Sequence, residues 1–234
     1  MDFTSSAVWV ALGYIMFTNI LLSGDNAVVI AMASRNLPAE QQKKAIFWGS
    51  AAAIVMRVVL TLVAIQLLAL PYLKIIGAIL LVYIGVQLMA DSDGDESIDS
   101  APSMFSAIRT ILIADLVMSL DNVVAVAAAA DRAPEEMRMP LILIGLGLSI
   151  PLIIFGSTIL LKIMDRYPVI ITLGAALLGF LAGEMFATDP AIHHTLVDAL
   201  GAENADAPFQ ILGIALVVII GLWLKKKSKH QEKS

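Results

Sequence analysis

The 234-residue chain contains no cysteine, which excludes disulfides, thiolate metal centres and cysteine nucleophiles. Charge is scarce as well: 15% of residues are Asp, Glu, Lys or Arg, against about a quarter in a soluble domain. Its three histidines, His193, His194 and His230, all lie outside the apolar runs, so no imidazole ligand is available within them. No Lys or Arg precedes Arg35. The N-terminus therefore lacks the basic n-region of a cleavable signal peptide, and the first apolar run is expected to be retained. What fills the chain is apolar: 59% hydrophobic residues and a mean hydropathy of +0.87. The runs repeatedly reach the ~20 residues that a bilayer-spanning helix requires. This is the composition of an integral membrane protein, and the net charge of -5 adds little to it.

The expected fold is an all-α membrane protein of seven transmembrane helices, at about 8–33, 45–70, 73–90, 105–130, 140–162, 168–187 and 209–224. Residues 1–234 read as a single membrane domain with a basic tail at 225–234. Placing the N-terminus outside puts Arg35, Lys43, Lys44, Arg109, Lys162, Arg166, Lys225, Lys226, Lys227, Lys229 and Lys233 on the cytoplasmic side. Only Lys74, Arg132 and Arg138 then remain outside, a clear positive-inside bias. Arg57 falls within the second span, either as an ion-pair partner or snorkelling to an interface.

The chain repeats itself. At an offset of 96, Asn19 matches Asp115, Ser23 matches Ser119, Asp25 matches Asp121, Asn26 matches Asn122 and Pro38 matches Pro134. One inserted residue later, Gly77-Ala78 matches Gly174-Ala175, Leu80-Leu81 matches Leu177-Leu178, and Gln87 matches Glu184. Residues 8–90 thus form one three-helix repeat and 105–187 a second. An odd number of spans per repeat inverts the second in the membrane. This 3+3 inverted repeat is the architecture of secondary transporters, whose substrate site lies at the repeat interface near the midplane. The run at 209–224 has no counterpart and reads as a peripheral extra helix.

Two connections have any length. The acidic 91–104 segment places acids at alternate positions like a calcium loop, but Glu96 stands where that loop needs Gly and Pro102 where it needs Glu. It reads as a solvated linker. In 188–208, Asp189-Pro190 suggests an N-cap with Pro at the first helical position, starting a short surface helix that ends at Gly201. His194 and Asp198 are four apart on it, and two exposed ligands do not make a metal site.

The chemistry lies in two polar seams. Asn19, Ser23 and Asn26 are spaced to share one helical face, as are Asp115, Ser119 and Asn122; Asp25 and Asp121 stand about 100° round from those faces. Gly24 beside Asp25 would let the backbone loosen or a neighbouring helix approach. Serines and asparagines alone could be interhelical staples. A twice-repeated intramembrane aspartate is a poor staple, because a buried charge is costly, and reads as functional. Asp25, Asn26, Asp121 and Asn122 are the candidate metal ligands, with Asn19, Ser23, Asp115, Ser119, Gln87 and Glu184 on a possible metal or proton pathway. Carboxylates and amide oxygens are hard ligands that suit Mg²⁺, Ca²⁺ or Mn²⁺ better than Zn²⁺ or Cu⁺. Met32, Met118 and Met185 read as packing. Competition between protons and metal at these carboxylates would be a route to proton-coupled exchange. No tightly bound cofactor and no nucleic-acid partner are indicated.

Two other readings compete. An intramembrane aspartyl protease also needs two buried aspartates, but the chain has no Gly-x-Gly-Asp sequence, and a symmetric duplication does not suit a two-role acid dyad. Export of an amino acid or other small solute would ask for a carboxylate-binding cation, and Arg57 alone meets that need.

Leu22-Ser23-Gly24-Asp25-Asn26-Ala27, the turn Arg35-Asn36-Leu37-Pro38, and Met118-Ser119-Leu120-Asp121-Asn122-Val123 together resemble the TerC family of bacterial integral membrane proteins, also called the tellurium-resistance or Alx-like family. The resemblance covers nearly all of the first six spans. It implies kinship with LysE-type transporters, a location in the bacterial cytoplasmic membrane, and export of a metal ion, with manganese as the expected substrate. The family's motif acids fall here on Asp25 and Asp121 and its amides on Asn26 and Asn122.

Overall fold

The computed structural model describes residues 6–68, 70–90, 103–130, 135–201 and 205–231. Among these the chain is entirely α-helical: α1 (Ser6–Leu21), α2 (Gly24–Ser34), α3 (Ala39–Leu68), α4 (Leu73–Ala90), α5 (Met104–Ala130), α6 (Glu135–Arg166), α7 (Val169–Ala187), α8 (His193–Leu200) and α9 (Ala207–Gln231). Five of them, α3, α4, α6, α7 and α9, are long and apolar enough to cross a membrane. The protein is thus an all-α, multi-pass membrane protein. Apart from its last two residues, the 91–104 connection lies outside the described residues.

The first expected span is two helices. α1 ends at Leu21, and α2 begins at Gly24, immediately before Asp25 and Asn26. Its counterpart, α5, runs unbroken through Asp121-Asn122. Within the Ser-x-Asp-Asn motif the two copies differ at one residue: Gly24 in the first stands where Leu120 stands in the second. Glycine weakens a helix interior by about 1 kcal/mol, whereas leucine is a strong helix former. A Cβ on Gly24 would meet nothing within 4 Å, so its role is backbone freedom and not the close helix approach that its small size also allowed.

The helices pack mainly across the two halves of the chain. α3 lies on α5, α1 and α2 lie on α6, and α4 lies on α7. Leu81, Ile111, Leu141, Leu146 and Leu178 are fully buried between them. Outward faces carry exposed Val55, Val59, Ile79, Phe155 and Ile219, as a lipid-facing surface should. α9 exposes much of its surface, as a helix at the periphery does, and is tightly docked on α7. Gly179 and Gly183 of α7 form a small-xxx-small pair, and a Cβ on either would overlap main-chain atoms of Gly213 or Phe209 of α9. With lipid as solvent, such close backbone approach is what holds helices together.

Both ends of α4 are closed by residues from elsewhere. At its C-terminus, Arg35 Nη2 donates to the Leu88 carbonyl at 2.9 Å, where the helix dipole favours a cation. At its N-terminus, Asp189 accepts from Tyr72 N (2.9 Å), Ile75 N (3.2 Å) and Ala191 N (2.8 Å). Asp189 therefore does not cap the surface helix, as the Asp-Pro sequence suggested. It is buried and caps α4 across a separation of 117 residues, while α8 starts three residues beyond Pro190. It also secures Tyr72, whose φ of 68° is costly for a residue with a Cβ.

Burial would raise the Asp189 carboxyl pKa, but the backbone N–H groups of Ala191, Tyr72, Ile75 and Lys74 outweigh it and hold it below the usual value of 3.8. A depressed folded-state pKa contributes stability that is present above about pH 4 and lost as pH falls through the folded value. Asp189→Ala strands those donors and should cost about 2–3 kcal/mol at neutral pH. Tryptophan fluorescence of protein in nanodiscs should show its thermal midpoint below wild type at pH 7, with the difference narrowing towards pH 3. Equal midpoints at pH 7 would remove the clamp from the account.

Candidate functional site

The site begins at the helix break between α1 and α2. In an unbroken helix, Leu22 O would accept from Asn26 N. Here Asn26 N donates to Asp25 Oδ1 at 2.7 Å, and the Asn26 side chain takes over, its Nδ2 donating to Leu22 O at 2.9 Å. The Asp-Asn pair thus satisfies the backbone that the break frees. Asp25 occupies the first turn of α2, where the helix dipole stabilises a carboxylate. Asn26 is buried, and its Oδ1 has no hydrogen-bond partner among the described residues. An orphaned buried amide oxygen is rare and calls for an explanation.

Facing this is a charged cluster that both halves build, Arg57 from the first and Asp115 and Ser119 from the second. Arg57 of α3 is 1% exposed and Asp115 of α5 is 6% exposed, so this is a fully buried ion pair. Arg57 Nη2 donates to Asp115 Oδ1, Arg57 Nε donates to Ser119 Oγ at 3.0 Å, and Ser119 Oγ donates to Asp115 Oδ2 at 3.3 Å. Asp115 and Ser119 are four apart on α5 and so present one face to α3. Asp25 lies within electrostatic range of both Arg57 and Asp115.

The halves meet at a narrow crevice lined by Asn26, Val29 and Ile30 of α2 and by Ile111 and Asp115 of α5. Of the sequence-derived candidates, Asn26 and Asp115 share this crevice, Ser119 braces its acid, and Asp25 lies close by. Ser23 is buried at the break. Asn122 is buried on α5, its Nδ2 without a hydrogen-bond partner among the described residues, echoing Asn26 in the repeat. The side chains of Asn19 and Asp121 lie outside the described residues.

Gln87 and Glu184 do not line the crevice. Gln87 is exposed in the last turn of α4, and Glu184 lies in the last turn of α7, near the opposite end of the bundle where Asp189 meets α4. Repeat matching joined these two, but it fixes position along a span and not the direction a side chain takes. On α8, His194 and Asp198 are exposed. Among the described residues no three His, Cys, Asp or Glu side chains converge. Arg57 is the residue that the site set omitted. Its signal was present: a lone arginine in an apolar run needs a buried anion.

Residues 4–229 match the Integral membrane protein TerC family. The chain belongs to the TerC family. That places it among transporters and not among enzymes. The uncharacterized membrane protein YjbE of Bacillus subtilis (strain 168) is 38% identical over 94% of this chain and 97% of its own length. The uncharacterized membrane protein YceF of the same strain is 24% identical over 78% of this chain and 72% of its own length. The UPF0053 inner membrane protein YgdQ of Escherichia coli (strain K12) is 24% identical over 70% of this chain and 75% of its own. No solved structure matches the chain.

Proposed function

We propose that this TerC-family protein exports a divalent metal cation, Mn²⁺, across the bacterial cytoplasmic membrane through a site at the interface of two inverted repeats. One observation carries the reading: Asn26 of the first half and Asp115 of the second line one buried crevice, and the Asn26 amide oxygen there has no hydrogen-bond partner among the described residues. A carboxylate and an amide oxygen are hard donors suited to such a cation. Asp25, Asn26, Asp121 and Asn122 supply ligands, Asp115 joins them across the crevice, and Ser119 borders the set. The helix break supports it too, since transporters place ion sites where discontinuous helices expose backbone carbonyls.

In this reading α1 and α2 together make the first of seven spans and α5 the fourth. α1–α4 form one repeat and α5–α7 the other, with α9 added, the N-terminus outside and the C-terminus cytoplasmic. Exchange of the two repeats carries the α3–α5 contact onto those of α1 and α2 with α6, and the α4–α7 contact onto itself. The relative YgdQ is described as an inner membrane protein, in keeping with that location. Protons compete with the metal at the buried carboxylates and couple its exit to proton entry.

The test is flux. Purified protein in liposomes enclosing a metal indicator should pass Mn²⁺, faster when a pH gradient is imposed, and should pass Mg²⁺ and Ca²⁺ more slowly. Folded, inserted protein that passes none of the three would overturn the proposal.

A further inference from the structure

Asp115 holds two positions at once. Its carboxylate accepts from Arg57, and it lines the crevice opposite Asn26. Apart from Asp189, which closes a loop at the end of the bundle, Arg57 and Asp115 are the buried charged side chains among the described residues. A guanidinium and a divalent cation compete for one carboxylate in a low-dielectric crevice, because their mutual repulsion there is poorly screened. Two of the Arg57 donors, Nε and Nη2, are directed at Ser119 and Asp115.

We infer that Arg57 is a tethered cation that occupies the substrate site in its metal-free state and surrenders Asp115 to the incoming divalent ion. This rests on the metal-transport reading and names the residue that sets its affinity and charge selectivity. Without metal, the guanidinium neutralises Asp115 and spares the bundle an unpaired buried carboxylate. When a dication enters between Asn26 and Asp115, Arg57 releases Asp115 Oδ1 and keeps its Nε hydrogen bond to Ser119 Oγ, which sits on the adjacent turn of α5. A monovalent ion gains nothing by displacing an equal charge, whereas a dication brings one charge more. The site is thereby biased toward divalent cations by a competitor built into the chain. Metal affinity is kept moderate, as release on the far side requires.

Mn²⁺ binding to protein in nanodiscs, followed by the electron paramagnetic resonance of free Mn²⁺, tests this. Arg57→Gln should bind Mn²⁺ at least about 10-fold more tightly than wild type while its turnover in liposomes falls. Adding Asp115→Asn should then reverse the gain by about 10-fold or more, because in the proposal Asp115 has become a ligand. If Arg57→Gln alone does not insert, Arg57→Lys carries the test: a point-charge ammonium lacks the guanidinium fork and should hold Asp115 less firmly, raising affinity several-fold. Unchanged or weaker affinity in both Arg57 variants, or an Arg57→Gln affinity indifferent to Asp115→Asn, overturns the inference. Wild-type protein that binds no divalent cation at all instead overturns the transport reading beneath it.

Discussion

Flux through Asp25→Asn is expected to fall at least ~100-fold, the upper end of what losing even an outer-sphere metal partner costs. The substitution keeps the size of the side chain and keeps an oxygen for the Asn26 N–H, so the local turn that closes the helix break can persist. What it removes is a carboxyl group at the junction of α1 and α2, within electrostatic range of Arg57 and Asp115. With Arg57 and Asp115 neutralising one another in the metal-free protein, Asp25 is the further acid that the proposed site draws from the first half. Expression and thermal midpoint should match wild type within a few degrees while Mn²⁺ flux is lost. Normal flux from Asp25→Asn would show that the first motif serves the helix break alone.

The largest stability effect is expected at the buried pair. Arg57→Leu or Asp115→Leu leaves the remaining charge without its partner, and each should destabilise the protein by about 3–5 kcal/mol. Ser119 cannot compensate, since one hydroxyl cannot neutralise a carboxylate or a guanidinium. The double variant Arg57→Leu/Asp115→Leu removes both charges and fills the space with apolar atoms, which is often neutral or stabilising. A double-mutant cycle read from denaturation in mixed micelles should therefore show strong coupling, with the double variant near wild type in stability and inactive in transport. Single variants within about 1 kcal/mol of wild type would mean that the two charges are not buried against each other.

Much of this was legible in the residues because lipid imposes few options. Apolar runs of sufficient length had to be helices, and an aspartate within one had to have partners. The repeat tied Asp25-Asn26 to Asp121-Asn122 and pointed to the junction of the halves, where Asn26 and Asp115 line one crevice. The sequence also raised Gly24 as a place where the backbone could loosen, and the helix divides there. Other features depended on direction or on partners distant in the chain. Gln87 occupies a repeat-matched position yet faces outward. Asp189 sits in a good local N-cap sequence, but the unpaired N–H groups of α4, more than a hundred residues away, recruit it first. The docking of α9 rests on Gly179, Gly183 and Gly213 meeting across two helices, which a scan for internal repeats does not detect. Arg57 has no charged counterpart in the second half, so symmetry hid the residue that completes the cluster.

The most direct measurement is anomalous diffraction at the manganese absorption edge from crystals grown with Mn²⁺. A peak is expected within coordination distance of Asn26 Oδ1 and the Asp115 carboxylate, between α2 and α5. A peak confined to the exposed His194 and Asp198 of α8, with none between α2 and α5 in metal-saturated protein, would contradict it.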